Sequence, residues 1–221
     1  MLIKTVTNIL DANNRIARDN RALFDEKKVF VINLMSSPGA GKTSLVERTI
    51  EGLRDRYRIA VIEGDIQDTF DAERIAKHGI PVTQINTGGA CHIDGNMVRE
   101  ALSNFDLDAI DLLITENVGN LVCPAEFNVG ENIKIMILST PEGDDKPRKY
   151  PLMFQKSAAL IINKMDLMAH VSFNLDKAVQ DALVINPRLS IFKVSCRTQA
   201  GLEQWLQWLR DRMNDFFAIH P

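Results

Sequence analysis

Three groups of residues in this chain are spaced for chemistry. The first is Ser36-Ser37-Pro38-Gly39-Ala40-Gly41-Lys42-Thr43, directly after the apolar run Val29–Met35. An apolar strand feeding a glycine-rich turn that ends in Gly-Lys-Thr, ahead of a helix, marks a phosphate-binding loop. Backbone N–H groups of such a loop and of the helix N-terminus form a concave anion site, and glycines let the backbone approach the phosphates. Gly39, Ala40, Gly41, Lys42, Thr43 and Ser44 are the candidate phosphate contacts. Lys42 would reach the β- and γ-phosphates, and the Thr43 hydroxyl would ligate Mg2+. Ser36 stands where the common pattern has its first glycine. Taken alone, the segment also reads as an ordinary glycine turn capping a helix.

The second group selects a base and places acids near the phosphates. Asn163-Lys164-Met165-Asp166 follows the apolar run Ala158–Ile162. The Asp166 carboxylate can accept from N1–H and the exocyclic amino group of guanine, whereas adenine would leave it unpaired. Asn163 would brace the loop and contact the base edge, and the Lys164 stem would lie over the ring plane. Ser195-Cys196-Arg197, past the last expected strand, would add backbone N–H contacts to the base, so GTP is favoured over ATP. Leu112–Glu116 reads as a strand ending in an acid, with Gly119 three residues on. This Walker-B-like arrangement makes Glu116 a candidate holder of the Mg2+ shell and the Gly119 N–H a candidate γ-phosphate sensor. Asp65 ends an earlier strand on the Mg2+ side. No Gln follows Gly119, so hydrolysis is expected to be slow, with Asp65 or Asp71 as the water-positioning group. Asp68 and Asp71 equally suit N-terminal capping of a helix, and Asp68 is read mainly so.

The third group is Cys91, His92 and Cys123. Cys91-His92 follows one expected strand, and Cys123 lies seven residues beyond Glu116. Thiolate with imidazole suits Ni2+ or Zn2+ far better than Mg2+ or Ca2+. The competing reading is small buried cysteines. Both segments fall at strand C-terminal ends, the edge where open α/β sheets bind ligands.

These residues need a scaffold. Expected strands are Val29–Met35, Ile59–Glu63, Val82–Asn86, Leu112–Glu116, Ile133–Leu138, Ala158–Asn163 and Ile191–Val194, with the Val/Ile/Leu content of strands buried on both faces. Expected helices are Thr43–Arg56, Asp71–Lys77, Gly95–Ser103, Leu175–Asn186 and Leu202–Phe217, preceded by an N-terminal amphipathic helix over about residues 5–24. In that first helix Val6, Ile9, Leu10, Ile16 and Ala17 form the face expected to pack. The alternation predicts an α/β fold, a mostly parallel sheet with helices on both faces, in a single domain over 1–221. Trp205, Leu206, Trp208, Leu209 and Phe216 read as core. His78 reads as a helix-end cation, and His170 and His220 as solvated.

The chain has 221 residues, 45% hydrophobic and 25% charged, with a net charge of −3. Nothing in that balance suggests nucleic acid or an anionic membrane as partner. No apolar run approaches the ~20 residues that span a bilayer. An odd count of three cysteines speaks for a reducing compartment, so a cytoplasmic protein is expected.

With Glu63-Gly64-Asp65, Asn86-Thr87-Gly88, Glu142-Gly143-Asp144-Asp145-Lys146 and Glu116–Pro124 added to the three groups, the chain resembles the nickel-incorporation GTPases of [NiFe]-hydrogenase maturation, the HypB family. The resemblance runs from about Asn33 to Trp208. It implies a P-loop NTPase G domain of the SIMIBI type that hydrolyses GTP to GDP and forms a homodimer in response to nucleotide. It further implies that Cys91, His92 and Cys123 form a G-domain metal site at the subunit interface. The implied partners are a hydrogenase-maturation protein and the hydrogenase large-subunit precursor. Some members carry a Cys-rich or His-rich stretch near the N-terminus. Here no cysteine precedes Cys91 and no histidine precedes His78, so only the G-domain site is expected. Competing readings are an accessory GTPase for another nickel enzyme such as urease, a metal-binding partner protein without turnover, and a small-molecule kinase.

Overall fold

The structure, a computed structural model, describes residues 8–65 and 69–220. The expected helix start at Val6, the side chain of Ile9 and the cap at Asp68 lie outside the described residues. In chain order the elements are α1 (Asn8–Glu26), β1 (Phe30–Ser36), α2 (Lys42–Leu53), β2 (Ile59–Asp65), α3 (Phe70–Ala76), β3 (Val82–Asn86), α4 (Gly95–Ala101), β4 (Leu112–Glu116), α5 (Cys123–Glu126), β5 (Ile133–Ser139), α6 (Lys146–Lys149), α7 (Pro151–Lys156), β6 (Ala159–Asn163), α8 (Leu175–Ile185), β7 (Ser190–Lys193) and α9 (Leu202–Ile219).

The strands form one sheet in the order β3-β2-β4-β1-β5-β6-β7. Every pairing is parallel, which narrows the expected "mostly parallel" to wholly parallel. The phosphate-loop strand β1 lies between β4 and β5, so its loop opens where the chain's two halves diverge. Alternate strand residues serve opposite faces. Ile32 and Leu34 of β1 join Leu45 and Ile50 of α2 and Trp205 and Leu209 of α9 on one face. On the other, two apolar clusters form, one around Val31, Phe24 of α1 and Val98 of α4, the second around Met35, Phe154 of α7 and Ala178 of α8. Between them the same face carries Asn33, Thr115 and Lys134, which are paired in register on adjacent strands and are all buried. The second core layer is therefore divided by a polar seam.

The expected helices and strands recur with ends shifted by a few residues, as fraying and capping make usual. The short helices α5, α6 and α7 are additions, each opening with proline in its first turn. Trp205 is fully buried, with its indole N–H donating to Thr49 Oγ1 at 3.0 Å. His220 departs from expectation. Its ring lies 4.4 Å from that of Phe216, and its Nε2 is 3.7 Å from Asp25, because the end of α9 returns to the end of α1.

The packing face of α1 also differs from the expected apolar stripe. Leu10 is 37% exposed, and the buried positions are Asn13, Ala17, Asn20 and Phe24. The buried asparagines hydrogen-bond to backbone groups of two distant segments. Asn13 accepts from Gly95 N–H at 2.7 Å and donates to Asn128 O at 2.9 Å. Asn20 donates to Gly95 O and Val129 O at 2.8 and 3.1 Å, and accepts from Arg99 Nε. Thus α1 braces the two chain segments that follow Cys91-His92 and Cys123. Replacing Asn20 with Ala removes the side-chain donor from the buried carbonyls of Gly95 and Val129 and is expected to cost about 1–3 kcal/mol, read as a lower urea midpoint at unchanged slope.

Candidate functional site

The loop after β1 turns at Gly39 and Gly41, with φ of 74° and 95°. At Gly41 a Cβ would also lie 2.5 Å from Asn163 Nδ2, so glycine is required twice over. Lys42 Nζ donates to Ser36 Oγ at 3.3 Å. Ser36, the departure from the common motif, thus gives the lysine an acceptor at the loop entrance. Ser44 Oγ lies 3.3 Å from Arg74 Nη2. Gly119 packs on Pro38, where a Cβ would meet backbone at 2.8 Å, so the β4 exit loop rests directly on the phosphate loop. The cavity beside it, about 220 Å3, is lined by Lys42, Glu63, Asp65, Asp71, Glu116 and Gly119 among others.

Carboxylates dominate this cavity. Thr43 Oγ1 donates to Glu116 Oε1 at 2.7 Å. Glu63 faces Glu116 in the β2–β4 register, and ligand atoms of Glu63, Asp71 and Glu116 lie within 4.8 Å of one another. Burial, then repulsion from Glu116 and Asp65, pushes Glu63 up to about 8. Burial pushes Glu116 up to about 7 against the pull of Lys42 and the Thr43 hydroxyl. One oxygen of each, Oε2, is buried with no hydrogen-bond partner. Oxygen-only donors with orphaned lone pairs fit a hard divalent cation. Asp65 lines the same cavity at the strand end, and Arg74 Nη1 holds Asp71 at 3.0 Å. The sequence motif Glu63-Gly64-Asp65 assigns no role to Glu63 itself; the signal for one is its parallel register with Glu116, which only strand pairing reveals.

The base-side cavity, about 250 Å3, is lined by Gly41, Ser44, Asn163, Lys164, Asp166 and Arg197 among others. Asn163 braces the loop as expected, donating to Ala40 O at 3.0 Å and accepting from Lys164 N–H and Cys196 N–H. Lys164 adopts a left-handed φ of 60° and its Nζ donates to Gly39 O at 2.6 Å. Ser195 Oγ donates to Asp166 at 2.6 Å, which holds that carboxyl below the usual range and keeps it ionised. The Cys196 thiol is buried and pushed up to about 11 by that burial, so it serves as core.

The remaining trio converges at the same edge of the sheet. The ligand atoms of Cys91, His92 and Cys123 lie within 4.8 Å of one another, with Sγ–Sγ at 2.8 Å. The hydrogen bond with Cys91, then burial, pushes the Cys123 thiol up to about 11. Burial lowers His92, favouring the neutral imidazole that ligates metals. Two soft sulfurs and one imidazole on one face fit a borderline-soft divalent ion and leave its sphere open. The scaffold is specific. Phe127 lies 3.7 Å from the His92 ring, and Lys134 Nζ donates to Pro124 O, Ala125 O and Phe127 O at 2.9–3.1 Å. Those three carbonyls close α5, which carries Cys123. Lys134 is itself buried with Glu131 at 3.4 Å.

The charged turn 144–149 is neutralised largely within itself and by α8, through Asp144–Lys177, Asp145–Lys149 and Arg148–Asp181. His78 sits past the end of α3, 3.8 Å from Glu47. Among the described residues, no helix is long and apolar enough to cross a membrane.

Residues 30–193 match the family model described as the CobW/HypB/UreG nucleotide-binding domain. The chain is 45% identical over 208 residues to the hydrogenase maturation factor HypB of Escherichia coli (strain K12), covering 94% of this chain and 72% of that protein. It is 42% identical to the probable hydrogenase maturation factor HypB of Methanocaldococcus jannaschii, with 94% of each covered. The crystal structure of HypB from Helicobacter pylori in complex with nickel superimposes with a TM-score of 0.88 at 36% identity, over 92% of this chain and 96% of that one.

The paired glutamates set a pH dependence. Glu63 is raised above its unfolded value of 4.5, so its contribution to stability is full below that value and is lost as pH rises through about 8. The nucleotide-free protein is expected to lose thermal stability from pH 5 to pH 8. Glu63→Gln should flatten that slope, as melting at a series of pH values will show.

Proposed function

The chain belongs to the HypB family of hydrogenase maturation factors, and from that premise we propose that it is a GTPase that handles nickel for a [NiFe]-hydrogenase precursor. The observation that carries this reading is that the soft trio and the phosphate cavity share one loop: Gly119 rests on Pro38, and Cys123 follows four residues later.

In this reading the nucleotide lies across both cavities. Ionised Asp166 accepts from the guanine edge, Lys164 covers the ring, and the 195–197 turn closes the far side. Backbone N–H groups of Gly39–Ser44 cradle the phosphates, and Lys42 reaches forward from Ser36 to the γ-phosphate. Thr43, Glu116 and Asp65 would hold Mg2+, which neutralises charge that develops on the transferred phosphoryl group. Asp65 or Asp71 orients the attacking water, and Asp71 is itself oriented by Arg74. The slow turnover expected without a glutamine after Gly119 suits a timer more than a metabolic catalyst.

Cys91, His92 and Cys123 bind the cargo ion, Ni2+ or Zn2+. Three ligands per chain leave the sphere to be completed by water or by a second copy across a two-fold axis, which makes the working unit a homodimer. The delivery partners are a maturation protein and the large-subunit precursor, in the cytoplasm. Gain or loss of the γ-phosphate moves Gly119 and so alters the geometry at Cys123.

Lys42→Ala is expected to reduce GTP turnover by about 10²–10³-fold, on the scale of losing one transition-state donor, measured as phosphate release. A Ni2+ titration followed by thiolate absorbance should give different affinities with GDP and with a non-hydrolysable GTP analogue. The charge-transfer band should vanish in Cys123→Ala. Because the Cys123 thiol is held protonated up to about 11, uptake displaces protons and affinity should rise with pH. Equal affinity in both nucleotide states would defeat the gated reading.

A further inference from the structure

Asn117 stands at the exit of β4 and is fully buried, yet it belongs to neither set of candidate ligands. Its backbone N–H extends the sheet by donating to Leu34 O at 3.0 Å. Its side-chain Oδ1 accepts from two backbone donors at 3.0 Å each, Val118 N–H on its own loop and Ile93 N–H on the loop of Cys91-His92. Its Nδ2 donates to Asn33 Oδ1 at 3.2 Å, which anchors the amide in β1, the strand that feeds the phosphate loop.

Both ends of this bridge are confined. On one side, Val118 leads to Gly119, which has no room to move toward Pro38. On the other, Ile93 is fully buried, and its side chain fills the space over Gly64, where a Cβ would lie 2.4 Å from Ile93 Cδ1. Asp94 then caps α4 through Met97 N–H at 2.8 Å. His92 therefore precedes a residue held by Asn117 and wedged on the strand that bears Glu63 and Asp65. A displacement of the 117–119 loop is passed to Ile93 through one shared carbonyl oxygen.

We propose that Asn117 is the positioning residue that couples the nucleotide to the metal ligands, by tying the γ-phosphate-sensing loop to the Cys91-His92 loop. The proposal rests on the nucleotide-gated reading above and names the part that carries the gating. Cys123 is reached along its own loop, whereas Cys91 and His92 are reached through Asn117. Both halves of the site then respond to the same event. Coupling is reciprocal, so the factor by which GTP changes metal affinity must equal the factor by which metal changes nucleotide preference.

The test measures Ni2+ affinity of the full chain with GDP and with a non-hydrolysable GTP analogue, and each nucleotide's affinity with and without Ni2+. Couplings of this kind span about 5–150-fold. In Asn117→Ala that ratio should fall to near one by both measurements, while each ligand alone still binds within about threefold of wild type. Asn117→Asp retains an acceptor for the backbone donors, and a flip of the Asn33 amide turns its Nδ2, which has no partner, to donate to the second carboxylate oxygen. It should keep the ratio. If Asn117→Ala does not fold, Asn117→Ser, too short to span both loops, replaces it. A residue that merely stabilises the fold would lower the melting temperature and leave the ratio intact. Wild-type coupling in an alanine or serine variant that binds both ligands overturns the proposal. A ratio of one in the wild-type protein overturns the gated reading itself, and is seen before any variant is made.

Discussion

Parallel strands cannot be joined by hairpins; each connection must travel back over a face of the sheet before the next strand begins. With all pairings parallel, every strand of this chain delivers its following loop to one edge. That constraint organises the molecule. It brings the loops after β1, β2, β3, β4 and β6, which lie far apart in sequence, within reach of one another. It also sets Glu63 beside Glu116 in register, two acids whose mutual repulsion and burial make sense only where cations and phosphates are to be handled. The central place of β1 puts the glycine-rich loop at the crevice between β4 and β5, and Cys91 and Cys123 fall on the β3 and β4 exits beside it.

The candidate site residues can be picked out of the sequence because their motifs are local. Gly-Lys-Thr, Asn-Lys-x-Asp and Cys-His each sit within a few residues of a strand end, and strand ends can be read from apolar runs. Glu63 was not legible, since its significance lies in a neighbour across the sheet. The packing face of α1 was misread for a related reason. A helical stripe predicts burial by hydrophobicity, but here the need to satisfy loop carbonyls and amides outweighs it, and Asn13 and Asn20 go inside while Leu10 is 37% exposed. The short helices α5, α6 and α7 lacked the length that makes periodicity visible. His220 reads as solvated in the sequence because nothing local shows that α9 ends against α1.

The polar seam on the second face shows how a packed layer can contain working parts. Asn33, Thr115 and Lys134 occupy strand positions that could have joined the two apolar clusters into one. Burying them is costly unless they are paired. Lys134 meets three carbonyls and Glu131, and burial still lowers its proton affinity. Asn33 meets Asn117. What Lys134 and Asn33 hold in place is the floor beneath the loops of Cys123 and Cys91-His92, while the Thr115 hydroxyl between them is buried without a partner. The specificity of that floor follows from hydrogen-bond geometry, which apolar side chains in the same volume could not impose.

The docking of α1 has a consequence for how the molecule opens. Its two buried asparagines hold the amide of Gly95 and the carbonyls of Gly95 and Val129 in buried hydrogen bonds, so the Gly95 amide loses its side-chain acceptor only when the helix lifts. The helix and the two segments beyond the sulfur ligands therefore make up one cooperative opening unit, smaller than the whole fold. The Gly95 amide would exchange its proton on the timescale of that partial opening. Slow exchange there would report a closed latch on the edge where the loops meet, independent of whether the sheet beneath ever unfolds.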